Sequence, residues 1–175
     1  CNLTNTLSDA QFVKRLGPRG RFAGAALRAM GPEKLRFFLA QLGVETRAPD
    51  GMQVFPVTDS AVQVRDALID EMKKLSVHIR TGIKALRLSL QTGRVCGVET
   101  DKGIHQADRV ILATGGMSYP HLGATGDGYA MARRVGHTII QPTPALVPLL
   151  TKENWPSQCV GISLPEVEIW IVGPC

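Results

Sequence analysis

The stretch Arg109–His137, RVILATGGMSYPHLGATGDGYAMARRVGH, decides the reading of this 175-residue chain. Val110-Ile111-Leu112 is an apolar run of the kind that forms a strand buried on both faces. It stops at Ala113-Thr114-Gly115-Gly116, where two glycines allow a tight turn and the close approach of a ligand to the backbone. A bare turn after a strand has the same composition. Pro120 and Gly123 mark a loop, Gly126-Asp127-Gly128 leads into a predicted helix over Tyr129–Val135, and Gly136 suits its C-terminal glycine. Strand, glycine turn, loop and helix is how α/β folds build a nucleotide site at the carboxyl end of a sheet.

Dinucleotide sites usually begin with GxGxxG and an acid for the ribose. This chain has neither, so its glycine loops correspond to the second half of such a site. Thr125 and the amides opening the Tyr129 helix suit an anion or a ring oxygen. Asp127 would repel a phosphate, and is expected to cap the helix or accept a hydroxyl hydrogen bond.

The ATGG turn followed by GATGDGY…A…GH resembles flavoproteins of the BaiN/aminoacetone oxidase type, FAD-dependent oxidoreductases. Cys1-Asn2-Leu3-Thr4-Asn5, Val54-Phe55-Pro56-Val57 and Pro144-Ala145-Leu146-Val147-Pro148-Leu149 agree with it in order. Four ordered motifs are more specific than a lone glycine pattern. The resemblance covers Cys1 to about Leu150. It implies a partial Rossmann-like FAD/NAD(P)-binding α/β domain over residues 1–150, without its first βαβ unit. Residues 151–175 would begin an inserted, β-rich, substrate-side domain. It implies hydride or electron transfer through FAD to or from a small organic substrate, with NAD(P)H or oxygen as partner. Aminoacetone and steroid-like substrates are both associated with relatives. Cys1, Asn2, Thr4 and Asn5 become expected flavin neighbours, and the backbone of Ala85 meets the adenine by position. Thr114, Gly115, Gly116, Thr125, Gly126 and Asp127 complete the expected cofactor set. The family's usual arginine before Val-Phe-Pro is replaced here by Met52-Gln53.

Composition fits an ordinary globular protein: 44% hydrophobic and 20% charged residues, enough chain to bury a core. No apolar run reaches the roughly 18 residues of a membrane span, and no charged-then-apolar leader opens the chain. Its first residue is Cys, and its end resembles an interrupted strand and turn, so it reads as a piece of a longer protein. Cys1, Cys96, Cys159 and Cys175 lack metal-ligand spacing; they permit two disulfides, but read as reduced thiols in a cytoplasmic protein.

The formal charge is +5, and Lys14, Arg15, Arg19, Arg21, Arg28, Lys34 and Arg36 cluster against one acid, Glu33. Such a patch could favour an anionic cofactor or nucleic acid. A solvated helix face is the plainer reading, and a single aromatic, Phe22, lies within the run, too little for base stacking, so no nucleic-acid partner is expected.

Elsewhere, Cys1–Thr6 reads as a loop, and Gly20–Met30 and Pro32–Leu42 as helices, the second with Leu35, Phe38, Leu39 and Leu42 on its core face. Short strands are expected at Val44–Arg47 and Gln53–Val57. Asp59 or Ser60 should cap a helix to Leu75 with Val64, Leu68, Met72 and Leu75 facing the core. A three-strand meander follows over Ile83–Leu90, Val95–Thr100 and Ile104–Ala107. Strands are also expected at Leu146–Leu150 and Val167–Val172. His78, His105, His121 and His137 are scattered; His121, in the glycine loop, ranks first among them as a catalytic group, and no catalytic residue is assigned.

Overall fold

The computed structural model describes residues 1–144, 152–159 and 161, the side chain of Arg19 apart. The expected strands at Leu146–Leu150 and Val167–Val172, and the proposed inserted domain, lie outside the described residues. The chain divides after Ile83 into two compact units, and each is taken by itself.

In the first unit the order is β1 (Thr4–Asn5), α1 (Asp9–Arg15), α2 (Gly20–Met30), α3 (Pro32–Gln41), β2 (Thr46–Arg47), β3 (Gln53–Pro56) and α4 (Ala61–Lys74). The three strands form an antiparallel sheet ordered β1-β3-β2. Cys1–Thr6 is therefore more than a loop: Thr4 pairs with Val54 and Asn5 with Gln53. Leu3 and Thr6 extend the pairing, their amides donating to Val54 (2.7 Å) and Met52 (3.0 Å). Helix α1 opens on a capping box, in which Ser8 and Gln11 satisfy each other's backbone amides.

The core of this unit is Leu39, Val44 and Val64, with Leu3, Leu35 and Ala67 packed against it. Leu39 and Val44 meet because α3 ends in a Schellman turn: Val44 N–H donates to the Leu39 carbonyl and Gly43 N–H to Ala40, each at 2.9 Å. Gly43 sits at φ +78°, as such a turn requires. Helix α4 closes the same way, Val77 bonding back to Met72 and Ser76 to Lys73, with Ser76 at φ +58°. Its expected core stripe is only partly realised. Val64 is buried and Ala67 packs beside it, whereas Leu68 is 37% and Leu75 68% exposed.

In the second unit β4 (Ala85–Gln91), β5 (Arg94–Thr100) and β6 (Gly103–Gln106) form the expected antiparallel meander, and α5 (Asp127–Arg134) follows the glycine loop. Arg87 makes a two-pronged ion pair with Glu99 across β4 and β5, at 2.7 and 2.9 Å, which holds the guanidinium's pKa above its ordinary value. Arg134 Nη1 donates to the Leu86 carbonyl at 3.3 Å and ties α5 to β4. Helix α5 ends in another Schellman turn, with Gly136 bonding to Arg133 and His137 to Ala132.

The run Val110–Leu112 forms no strand. A strand needs a neighbouring ladder; none among the described residues pairs with it, and Ile111 is 91% exposed. Nor does Asp127 cap α5. Gly126, at φ +85°, occupies the cap position, and Asp127 is the first helical residue.

The two αL caps predict opposite outcomes. Gly43→Ala places a Cβ at positive φ and should cost about 1 kcal/mol, whereas Ser76→Gly relieves that strain and should gain a similar amount. Chemical denaturation of the two variants should show midpoints moving in opposite directions.

Candidate functional site

In the first unit, β1 and the start of β3 face one side of α1 across a pocket of about 610 Å³. Phe12, Arg15 and Leu16 fall three and four residues apart, on one helix face, and form one wall. The opposite wall is Asn2, Leu3, Thr4, Asn5 and Leu7, with Met52 and Gln53 completing the lining. Three of the four residues expected beside the flavin in this segment are thus brought together, and Cys1, exposed, is not among the lining residues. Asn5 Oδ1 accepts from the Leu7 amide at 2.9 Å, which fixes the side chain and leaves its amide hydrogens as donors.

Met52 and Gln53 are held from below by Asp50, whose carboxylate accepts both amides, at 2.8 and 2.6 Å. Those two bonds favour the ionised form and lower the Asp50 pKa. Met52 occupies the place of the arginine that the resembled pattern has there. Arg15 reaches the same spot from α1, its Nη1 lying 3.3 Å from Met52 Sδ.

The second unit holds the glycine loop. Gly126 N–H donates to the Gly116 carbonyl at 3.2 Å, closing the loop at its neck. Inside it, Pro120–Leu122 makes one 3-10 turn, with Tyr119 and His121 edge to face at 5.9 Å. Thr114 fits against α5 only because Gly128 lacks a side chain: a Cβ there would stand 2.1 Å from Thr114 Oγ1. Thr114, Gly115, Gly116, Gly126 and Asp127 therefore gather at one end of α5, and Thr125 adjoins them. Among the described residues the amides of Gly115 and Gly116 donate to nothing, and no side chain at either glycine covers them. Ala85 stands apart from the loop at the start of β4, paired with Thr100.

The basic run is partly structural. Arg36 bonds Thr46 through Nε at 3.0 Å, and Lys34 Nζ donates to the Arg28 carbonyl. None of its six described side chains forms an ion pair with a described carboxylate. Among the described residues no group of His, Cys, Asp and Glu could hold a metal ion, no helix is long and apolar enough to cross a membrane, and Cys1, Cys96 and Cys159 are free thiols.

Helices, two antiparallel sheets and a glycine loop leading into a helix make this a mixed α/β chain. Residues 1–169 match the HI0933-like protein Rossmann domain, and the chain belongs to that family, the BaiN/aminoacetone oxidase-type flavoproteins. It is 38% identical over 164 residues to the 3-dehydro-bile acid delta(4,6)-reductase of Clostridium scindens, covering 93% of this chain and 39% of the relative. It is 29% identical over 178 residues to the ribosomal RNA dihydrouridine synthase of Haemophilus influenzae, covering 94% of the chain and 42% of that protein. The Escherichia coli protein of the same name is 33% identical over 113 residues, covering 62% of the chain and 28% of that relative. The chain thus spans about two-fifths of the length of the first two relatives.

The lowered Asp50 pKa has a definite sign. Its contribution to stability is complete above the unfolded value of about 4 and is lost as pH falls through the lower folded value. Thermal unfolding should show Asp50→Asn less stable than wild type at neutral pH, the gap closing in acid. A gap independent of pH would deny the carboxylate this role.

Proposed function

We propose that this chain is part of an FAD-dependent oxidoreductase that moves hydride or electrons between flavin and a small organic substrate. NAD(P)H or oxygen would be the second partner. The family match over residues 1–169 carries this reading, and the identity to a reductase supports it. Residues 1–150 would be the FAD-binding part and 151–175 the start of the inserted substrate-side domain. A reducing compartment, the cytoplasm, suits the free thiols of Cys1, Cys96 and Cys159.

The residues present fit a flavin nucleotide. In the second unit, the amides of Gly115 and Gly116, which bond no described acceptor, offer donors to a ligand. Thr114, Thr125 and Gly126 would shape that contact, Asp127 would accept a hydroxyl, and Ala85 would meet the adenine through its backbone. In the first unit, Cys1, Asn2, Thr4 and Asn5 would be the cofactor's neighbours. When bound, FAD supplies the redox chemistry; the protein contributes orientation, polarity and exclusion of water. Neutral donors from amides and Asn or Thr side chains orient a ring without adding charge. The chain has no GxGxxG turn, so no residue here is assigned to the pyrophosphate.

A second reading gives the substrate as RNA, drawing on the names of two relatives and on the Lys14–Arg36 run, whose six described side chains make no ion pair with a described carboxylate. Binding of an RNA oligonucleotide that weakens steeply with salt would favour it.

Purified full-length protein should show the flavin absorption bands. Gly128→Ala, which drives a Cβ into Thr114, should lower the flavin retained per protein about tenfold while far-ultraviolet circular dichroism is preserved. Wild-type protein that takes up no flavin, even with FAD added, would overturn the proposal.

A further inference from the structure

The meander of the second unit carries a cavity that the flavin reading leaves unused. Its volume is about 650 Å³, and it lies where the Thr92-Gly93 turn joins β4 to β5 and the chain leaves β6. Ala85, the residue given to the adenine, stands at the opposite end of β4, a strand of seven residues and so about 20 Å long.

Strand register brings the lining together. Gln91 pairs with Arg94 at the hairpin, and the β5–β6 ladder runs to Gly97 and Gln106. Ala107 N–H adds one more bond, to the Cys96 carbonyl at 2.9 Å. Arg109, two residues on, therefore emerges beside the start of β5, where Arg94 stands. Gly97 lets the two strands close up, since a Cβ there would run into the His105 carbonyl. Arg94 and Arg109 thus line one cavity with Gln91, Gln106, Asp108 and the half-buried Cys96. Neither guanidinium bonds or pairs with another described residue. Arg87 and Arg134 of the same unit, by contrast, are committed to Glu99 and to the Leu86 carbonyl. Two cations facing one space repel each other until an anion comes between them. Asp108, the one acid in the lining, forms an ion pair with neither.

We infer that this cavity binds a small phosphomonoester, with Arg94 and Arg109 on the phosphate and Asp108, Gln91 and Gln106 on hydroxyl groups of the body that carries it. Each guanidinium offers parallel N–H donors that match phosphate oxygens. A carboxylate repels a bare phosphate, so Asp108 favours a ligand whose hydroxyls donate to it, and the two glutamine amides both donate and accept. The volume is that of a small-molecule site, and a lining this polar does not suit an apolar ligand. A sugar phosphate and a nucleoside monophosphate share the required chemistry. Occupancy of the site does not require a bound flavin.

Glucose 6-phosphate and AMP are the probes, with glucose, adenosine and inorganic phosphate as controls. Calorimetric titration of the full-length protein, in excess FAD, should show one ester bound about tenfold more tightly than inorganic phosphate, and glucose and adenosine not bound. The tighter ester identifies the body as sugar or nucleoside. Arg94→Met and Arg109→Met should each weaken it about tenfold, with circular dichroism unchanged. Alkylation of Cys96 by N-ethylmaleimide, followed by mass spectrometry, should slow about tenfold when the ester is bound, while the exposed Cys1 and Cys159 react as before. Binding of neither ester, or binding no tighter than that of inorganic phosphate, would overturn the inference. So would an affinity unchanged in both arginine variants, or a bound ester that leaves Cys96 unprotected.

Discussion

The first unit depends on the contact between Leu39 and Val44 across the end of α3. The Schellman turn folds the chain back so that its two flanking apolar residues touch, and both are almost wholly buried. Val64 of α4 and Leu3, just ahead of β1, pack against that pair. Leu3 thereby fixes a segment of otherwise polar residues that has little apolar surface of its own. With Leu3 seated, the register of β1 on β3 follows, and Asn2, Thr4 and Asn5 are presented along one wall of the pocket. The site in this unit is a consequence of a helix cap.

The glycine loop of the second unit adds a different constraint, steric closeness between a threonine and a glycine. Thr114 and the first turn of α5 are in contact because Gly128 leaves room for the threonine hydroxyl. The Gly126–Gly116 hydrogen bond then closes the loop, while the amides of Gly115 and Gly116 stay uncommitted. A polar backbone surface free of side chains is expensive to leave unsolvated, and it becomes useful where a planar, hydrogen-bonding ligand can cover it. The αL cap at Gly126 displaces Asp127 from the capping role and leaves its carboxylate in the first turn, exposed.

What was legible in the sequence was local. Helices α2, α3 and α4 begin and end at Gly31-Pro32, Gly43 and Ser60, signals carried within a few residues of each boundary. The meander was legible because Thr92-Gly93, both at positive φ, makes the two-residue turn that joins β4 to β5. Helix α1 carried a readable signal in Ser8-x-x-Gln11. Strand β1 did not, being two polar residues paired with a segment nearly fifty positions away. The same non-local pairing hid the pocket: Phe12, Arg15 and Leu16 meet Met52 and Gln53 only once β1 is in place. Val110–Leu112 failed in the opposite sense, since its apolar composition is that of a strand but composition supplies no hydrogen-bonding neighbour. The glycine loop was legible as a turn and helix, and the family resemblance assigned it to a flavin, which composition alone left open.

The central claim is that the glycine loop is a flavin contact. Amide hydrogen exchange of the full-length protein, with and without FAD, tests it most directly at Gly115 and Gly116. The account predicts that these two amides exchange markedly more slowly when FAD is bound, while the exposed Thr92-Gly93 turn of the same unit is unchanged. Equal exchange at Gly115 and Gly116 in a protein shown to hold FAD would contradict it.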